Sequence, residues 1–167
     1  MELTRRDVLA ALAAASAGCS FPEDASGDGF SSEETETLVS LAEVVYPSDV
    51  TSIENFVRDY SLARVEGRGE YREGMRDAIA ELDEHAETFH DQAFAALPKP
   101  TRDEALRGLG VDAADPDPEG ATRERVRYYL VNELLFALYT TPTGGELLGT
   151  ENPPGHPGGT RSYQGAR

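Results

Sequence analysis

Four side chains that could bind a metal ion lie close together in the middle of the sequence. Asp83, Glu87, His90 and Asp91 are spaced at i, i+4, i+7 and i+8, which places them near one face of a helix. Carboxylate and imidazole groups are ligands for divalent cations. On a chain with 31 acidic residues, however, a solvated acidic face accounts for the same spacing. We favour the solvated face and predict no metal site.

Sequence motifs for other cofactors are incomplete or missing. Gly67 and Gly69 form a G-x-G, but Arg72 stands where a dinucleotide fingerprint needs its third glycine, and no strand pattern precedes it. Cys19 is the only cysteine, so the chain has neither a haem-attachment motif nor a cysteine set for an iron–sulfur cluster. No G-x-S-x-G motif is present, although a dispersed Ser-His-Asp site stays open. We predict no catalytic residue and no cofactor in this chain.

The amino terminus has the layout of a twin-arginine export signal. Arg5 and Arg6 precede a stretch, residues 8–18, that carries no charge. As a helix this stretch would rise only about 16 Å, roughly half of the hydrocarbon core of a membrane. The alternative is an alanine-rich surface helix. The twin-arginine route carries folded proteins, so we expect that the chain must fold, bind a cofactor or meet a partner before it is exported.

Cys19 lies at the position where a lipoprotein signal is cut and its cysteine is lipidated. Ala17 and Gly18 fit that pattern, whereas Ser16 stands where a larger aliphatic residue is usual. We predict a signal peptide over residues 1–18, a lipid anchor on Cys19 and a flexible linker over residues 19–32. The alternative is a free cysteine in a discarded peptide. The expected location is the extracytoplasmic face of the cytoplasmic membrane.

The charge of the chain is strongly acidic. The formal net charge is −16, and Lys99 is the only lysine among 15 basic residues. Such a surface is expected in a high-salt habitat, where screening removes self-repulsion, and we predict a halophilic archaeal source. An acidic protein from an ordinary host is the alternative. The charge also argues against nucleic acid and against electrostatic binding to anionic lipids.

Apolar residues recur at helical spacing along most of the chain, and no alternating strand pattern of useful length is present. We therefore predict an all-α fold: a single small helical bundle of about five helices over residues 33–141, followed by an extended Pro/Gly-rich tail. The predicted helices cover about residues 33–46, 51–66, 70–96 and 122–139, with a short one from residue 101 that ends near Gly108 or Gly110.

Helix starts and ends are predicted from capping residues and helix breakers. Pro47 should end the first helix, Gly67 and Gly69 the second, and Pro98 and Pro100 the third. Three Ser/Thr–Glu pairs have capping-box spacing, and each is assigned to a helix start. These pairs are Ser31 with Glu34, Thr51 with Glu54, and Thr101 with Glu104.

Two of the predicted helices carry long apolar stripes. The fifth is apolar around so much of its circumference that it should lie centrally in the bundle or be covered by another chain, and we predict the central position. The buried stripe of the third helix is Tyr71, Met75, Ala78, Leu82 and Phe89. The apolar face of the fifth is Val126, Tyr129, Leu130, Leu134, Ala137 and Leu138, widened by Val131, Leu135 and Phe136.

The last 26 residues differ in composition from the rest. Between Pro142 and Gly159, 10 of 18 residues are Gly or Pro, and no acidic residue follows Asn152. A disordered terminus and an arm that docks on a partner explain this composition equally well. If the segment docks, its contact residues are Tyr139, Pro142, Gly144, Gly145, Leu147, Leu148, Pro154, Gly155, Pro157, Gly158 and Tyr163.

Several of these features together resemble a known family. They are the twin-arginine start, the helix ending in VYP (45–47), the all-helical body, and the segments YTTPTGG (139–145) and PGHPGG (154–159). This combination resembles the small subunit of membrane-associated gluconate 2-dehydrogenase, the subunit 3 family. His156 stands where the family usually has an aromatic residue, and the chain has no Trp.

The resemblance implies a non-catalytic subunit. Its partner would be a large flavoprotein of the glucose–methanol–choline type, which holds FAD and oxidises a sugar acid, a sugar or an alcohol. A cytochrome c or another acceptor would take the electrons. The small subunit would supply the export signal, help the large one mature and anchor it to the membrane. The alternative is a free-standing exported lipoprotein with a binding or structural role.

Overall fold

The computed structural model describes residues 29–149, apart from the side chain of Leu62. The predicted signal at Arg5 and Arg6, the predicted anchor Cys19 and most of the tail lie outside the described residues. Within them the regular structure is all helical, which confirms the predicted fold class. Six helices are present there: α1 Ser32–Val45, α2 Ile53–Val65, α3 Gly69–His90, α4 Lys99–Leu109, α5 in three parts (Thr122–Val126, Arg127–Val131 and Asn132–Thr140) and α6 Pro142–Leu147.

The start of α1 follows its capping residues, as predicted. The Ser31 hydroxyl accepts a hydrogen bond from the Glu34 amide at 3.1 Å, and the Glu34 carboxylate accepts one from the Ser31 amide at 2.6 Å. These two bonds satisfy amide groups that have no partner within the helix. The helix ends before Pro47, where Tyr46 adopts an extended backbone.

The other two predicted capping boxes are wrong. Helix α2 begins after Ser52, which has a left-handed backbone with φ 59° and makes no side-chain cap. Helix α4 begins at Lys99, two residues before Thr101, because the fixed φ of Pro100 suits the first turn of a helix. Local capping spacing therefore located one helix start in three.

Helix α3 ends at His90, six residues earlier than predicted. Asp91 leaves the helix with a left-handed backbone, φ 57°, and the chain folds back into a short 3₁₀ turn, Phe94–Ala96. The Asp83 carboxylate accepts a hydrogen bond from the Phe94 amide at 2.9 Å and so fixes this reversal. As a result Phe94 is fully buried, whereas Phe89, predicted to be buried, is 68% exposed.

Helix α5 supplies much of the core. Its parts contact α1, α3 and α6, and Leu130, Leu134 and Leu138 are buried. Only one side of the helix enters the core, however. Phe136, which the sequence assigned to the buried face, is 54% exposed.

The first part of the predicted extended tail is helical instead. Pro142 occupies the first turn of α6, and the Thr141 hydroxyl accepts a hydrogen bond from the Gly144 amide at 3.0 Å. A side chain on Gly144 would lie 2.8 Å from the carbonyl oxygen of Ala137. Gly144 thus lets α6 pack closely against the end of α5. No helix within residues 29–149 has the length and apolar character that a membrane crossing needs.

Candidate functional site

The most polar buried site in the described part of the chain surrounds Glu133. This residue lies on the core side of α5, between Leu130 and Ala137, and only 7% of its surface is exposed. Helix α2 presents Tyr60 and Arg64, one turn apart, and α3 presents Tyr71. Helices α2, α3 and α5 therefore meet at one carboxylate.

Both carboxylate oxygens of Glu133 are fully hydrogen-bonded. Oε1 accepts from the Tyr60 hydroxyl and from Nε of Arg64. Oε2 accepts from the Tyr71 hydroxyl and, at 3.0 Å, from Nη2 of Arg64. A carboxylate has about four lone-pair sites, so the protein itself fills them all. We call Glu133, Tyr60, Arg64 and Tyr71 the Glu133 cluster.

The hydrogen bonds of the cluster require one protonation state of each group at neutral pH. Burial raises the pKa of Glu133, but the hydrogen bonds from Arg64, Tyr60 and Tyr71 outweigh burial, and the net pKa lies below the ordinary value. Burial, followed by the hydrogen bond to Glu133, raises the pKa of both tyrosines. The carboxylate is thus ionised and each phenol protonated, which is the arrangement that the four bonds require.

This arrangement does not suit acid–base catalysis. A general base needs a pKa near the working pH and an acceptor site open to the substrate. Glu133 has a lowered pKa, and its acceptor sites are occupied. The geometry instead supports a structural role, because the cluster holds α2, α3 and α5 together.

The four residues weighed as metal ligands do not converge on a common point. Asp83 uses one oxygen for the Phe94 amide and the other for the Thr37 hydroxyl, at 3.3 Å. Helix α3 ends at His90, so Asp91 no longer follows the helical spacing. Between residues 29 and 149 no group of three or more acidic, His or Cys side chains is placed to hold a metal ion.

The predicted docking residues differ in their exposure and position. Tyr139 is exposed, Leu147 and Leu148 are half-buried against the core, and Pro142 begins α6. Gly144 and Gly145 are buried within the chain's own fold. The remaining ones lie outside the described residues: Pro154, Gly155, Pro157, Gly158 and Tyr163.

One exposed feature was missed by the sequence reasoning. Arg64 of the cluster lies beneath the exposed ring of Phe136, with its guanidinium carbon 6.0 Å from the ring centroid. Arg68 stacks on Tyr71 at 4.1 Å. A signal for this site was present in the sequence, because Glu133 is the single acidic residue between Arg125 and Gly145, the apolar part of α5. A lone carboxylate in such a helix needs partners, and those partners bring cations and aromatic rings with them.

Helix α5 also contains a π-helical turn, Arg127–Val131, in which the Asn132 amide bonds to the Arg127 carbonyl. Turns of this kind are frequent at functional sites. Beside it lies an open groove of about 250 Å³, with Val44, Leu106 and Val131 among its apolar walls and Asp103 and Arg107 at its rim. Asp103 and Arg107 form an ion pair with each other, with Nε of Arg107 2.9 Å from the Asp103 carboxylate.

The chain was compared with models of protein families. The model of gluconate 2-dehydrogenase subunit 3 matches residues 32–158. The chain belongs to the gluconate 2-dehydrogenase subunit 3 family. No curated protein and no solved structure matched it.

Membership of the subunit 3 family makes this chain one component of a dehydrogenase complex, whose other subunits are its partners. The family match begins at Ser32, the first residue of α1, and runs past α6 into the Pro/Gly-rich segment. Every predicted docking residue except Tyr163 falls within that match. The unit that defines the subunit 3 family thus includes the bundle and most of the tail.

Proposed function

We propose that this chain is a non-catalytic accessory subunit that escorts, matures and anchors a large FAD-dependent dehydrogenase of the glucose–methanol–choline type. The observation that carries the proposal is the subunit 3 family match over residues 32–158. On this proposal the partner binds FAD, oxidises a sugar acid, a sugar or an alcohol, and passes electrons to a cytochrome c or another acceptor. The chain described here binds the partner and carries no redox group.

The Glu133 cluster supports a structural role for the bundle. Its carboxylate is saturated by hydrogen bonds from the same chain, so no part of it is left to bind or activate a substrate. A buried charge network of this kind holds helices in one arrangement. A stable bundle of that kind can present a fixed surface to a second subunit.

The amino-terminal sequence supports the escort and anchor roles. Arg5 and Arg6 begin a segment typical of twin-arginine signals, and that pathway exports folded proteins. A flavoprotein that must bind FAD before export could cross with this chain and use its signal. Lipid on Cys19 would then hold the complex at the extracytoplasmic face of the membrane, together with a second contact, because one lipid chain binds only marginally.

Expression of the full chain with its complex in the native host tests the proposal. A tag placed after Arg167 should recover a large subunit with flavin absorbance, and dehydrogenase activity should follow that subunit. Changing Arg5 and Arg6 together to lysine should leave both proteins in the cytoplasm, whereas Arg58→Lys, at an exposed ion pair with Glu54, should not. Cys19→Ser should release the complex from the membrane.

Three outcomes would contradict the proposal. A tagged chain that is exported alone, as a monomer with no flavoprotein, would replace the accessory role by that of a free-standing lipoprotein. Export of the large subunit that is unaffected by the two lysine changes would remove the escort role. Turnover by the isolated chain would contradict the non-catalytic assignment.

A further inference from the structure

One side of α5 exposes three aromatic rings. Tyr128, Phe136 and Tyr139 are 37, 54 and 55% exposed. With Asn132 they fall at i, i+4, i+8 and i+11, a spacing that keeps residues on one side of a helix. The set spans roughly 16 Å along the helix axis. We call these four residues the α5 aromatic face.

This face lacks the carboxylates that cover the rest of the protein. Between Arg125 and Gly145 the only acidic residue is Glu133, which is buried. At the average density of 31 acidic residues in 167, a stretch of this length would carry about four. Exposed acidic groups keep a surface solvated and repel other acidic proteins. Their absence leaves an apolar strip that another protein could cover.

Cations of fixed position border the strip. Two hydrogen bonds to Glu133 fix Arg64, whose guanidinium carbon lies 5.2 Å from the Tyr71 centroid as well as 6.0 Å from that of Phe136. Arg68 covers Tyr71 from another position, at 4.1 Å. Aromatic residues and arginine are enriched at the interface positions that contribute most of the binding energy. Side chains that are already ordered lose less entropy on binding.

We propose that the α5 aromatic face is the docking surface for the large dehydrogenase subunit, which would present an apolar patch with carboxylates at the rim that face Arg68. This assignment rests on the function proposed above. Two observations favour that occupant. The family match continues from α5 to residue 158, and α6, the first part of the predicted tail, packs against the end of α5 that carries Tyr139. One partner can therefore contact the face and the tail together.

A second copy of this chain fits the surface less well. A two-fold pair places the same patch on both sides of the interface. Arg68 of each copy would then meet a patch that has no exposed carboxylate, and two chains of net charge −16 would approach each other. A partner with rim carboxylates meets Arg68 with opposite charge.

The test compares three variants of the tagged full chain, purified from the native host together with the complex. Phe136→Ser with Tyr139→Ser removes two rings from the face. Phe89→Ser is the matched control, because it removes a more exposed ring from α3, outside the face. Phe136→Tyr with Tyr139→Phe keeps both rings. Flavin recovered per mole of chain should fall at least tenfold in the double-serine variant and stay unchanged in the other two, with the large subunit identified by mass spectrometry.

Three results would overturn the assignment. If the wild type and the double-serine variant recover equal amounts of the flavoprotein, docking occurs elsewhere and the accessory role stands. If the wild type recovers none, the accessory role fails and this surface assignment fails with it. If light scattering shows a dimer of this chain that only the double-serine variant dissociates, the occupant is a second copy. Equal urea midpoints for all variants would show that folding is unchanged.

Discussion

Arg64 and Glu133 form an ion pair with two parallel hydrogen bonds, Nε to Oε1 and, at 3.0 Å, Nη2 to Oε2. The two residues are 69 positions apart, so the pair joins α2 to α5. Two-point contacts between guanidinium and carboxylate fix orientation as well as distance. Tyr60 and Tyr71 complete the shell and add α3 to the connection. Loss of this carboxylate should therefore reduce the stability of the bundle.

The first prediction is that Glu133→Gln destabilises the protein by about 2–4 kcal/mol. The substitution leaves the size unchanged but removes the charge that compensates Arg64, and its amide cannot accept all four hydrogen bonds. Urea unfolding at constant salt measures the loss. Glu54→Gln is the control, since Glu54 pairs with Arg58 on the surface and should cost less than about 0.5 kcal/mol. Equal losses in the two variants would contradict a structural role for the cluster.

The second prediction concerns the stability of the protein at low pH. The pKa of Glu133 is lower in the folded protein than in the unfolded chain, so its contribution to stability is complete above the ordinary pKa of Glu, about 4.3, and is lost as the pH falls below it. The difference in unfolding free energy between the wild type and Glu133→Gln should therefore be largest near neutral pH and shrink from about pH 5 towards pH 3. A difference that stays constant over this range would refute the lowered pKa.

Asp83 makes that comparison between variants necessary. Burial raises its pKa, although the bonds from the Phe94 amide and the Thr37 hydroxyl act the other way. Ionised Asp83 thus costs stability above its folded pKa, and protonation in acid removes that cost. The two acids have opposite effects on the pH profile of the wild type. Subtracting the profile of Glu133→Gln cancels the contribution of Asp83.

The third prediction tests how closely α3 and α5 pack. A β-carbon on Gly74 would lie 2.6 Å from the hydroxyl oxygen of Tyr129, too close for real atoms. Gly74→Ala should therefore cost up to about 2 kcal/mol, because displacing the Tyr129 ring costs about 1–3 kcal/mol and the better helix propensity of alanine offsets about 1 kcal/mol of it. Gly108→Ala is the matched control, since its β-carbon meets no atom within 4 Å, and it should stabilise α4 by up to about 1 kcal/mol. Thermal unfolding of both variants measures the contrast, and stabilisation of both would mean that the helices lie further apart.

The features predicted correctly from the sequence are those that depend on apolar periodicity. The helical class and the positions of α1 and α5 follow from spacing and from strong helix breakers. Of the two ends weighed for α4, Gly108 and Gly110, the structure has Gly110. The end of α3 was misplaced because nothing local ends the helix at His90. A hydrogen bond between Asp83 and the Phe94 amide, eleven residues apart, decides it. Phe89 was judged buried because it continues the apolar spacing of the stripe, but it lies one residue before the helix end and is exposed.

The sequence marks Glu133 as a lone acid in an apolar segment, but its partners could not be predicted because they depend on tertiary contacts between distant parts of the sequence. Tyr60, Arg64 and Tyr71 are 62 to 73 positions from Glu133, and each looks like an ordinary surface or core residue in its own helix. Phe136 was assigned to the core because it is apolar. Its position is instead set by the register that points Glu133, Leu134 and Ala137 inward.

The last prediction is that salt stabilises the protein while leaving the Glu133 cluster nearly unaffected. A net charge of −16 opposes the compact state, and the screening length falls from about 30 Å at 0.01 M salt to about 3 Å at 1 M. The unfolding free energy of the wild type should therefore rise with KCl up to about 1 M. The cost of Glu133→Gln should stay nearly constant, because buried pairs are screened little, while that of Glu54→Gln should vanish. Sucrose, which stabilises proteins without screening charge, is the control. If sucrose changed the cost of Glu54→Gln as much as KCl does, charge screening would not be the cause.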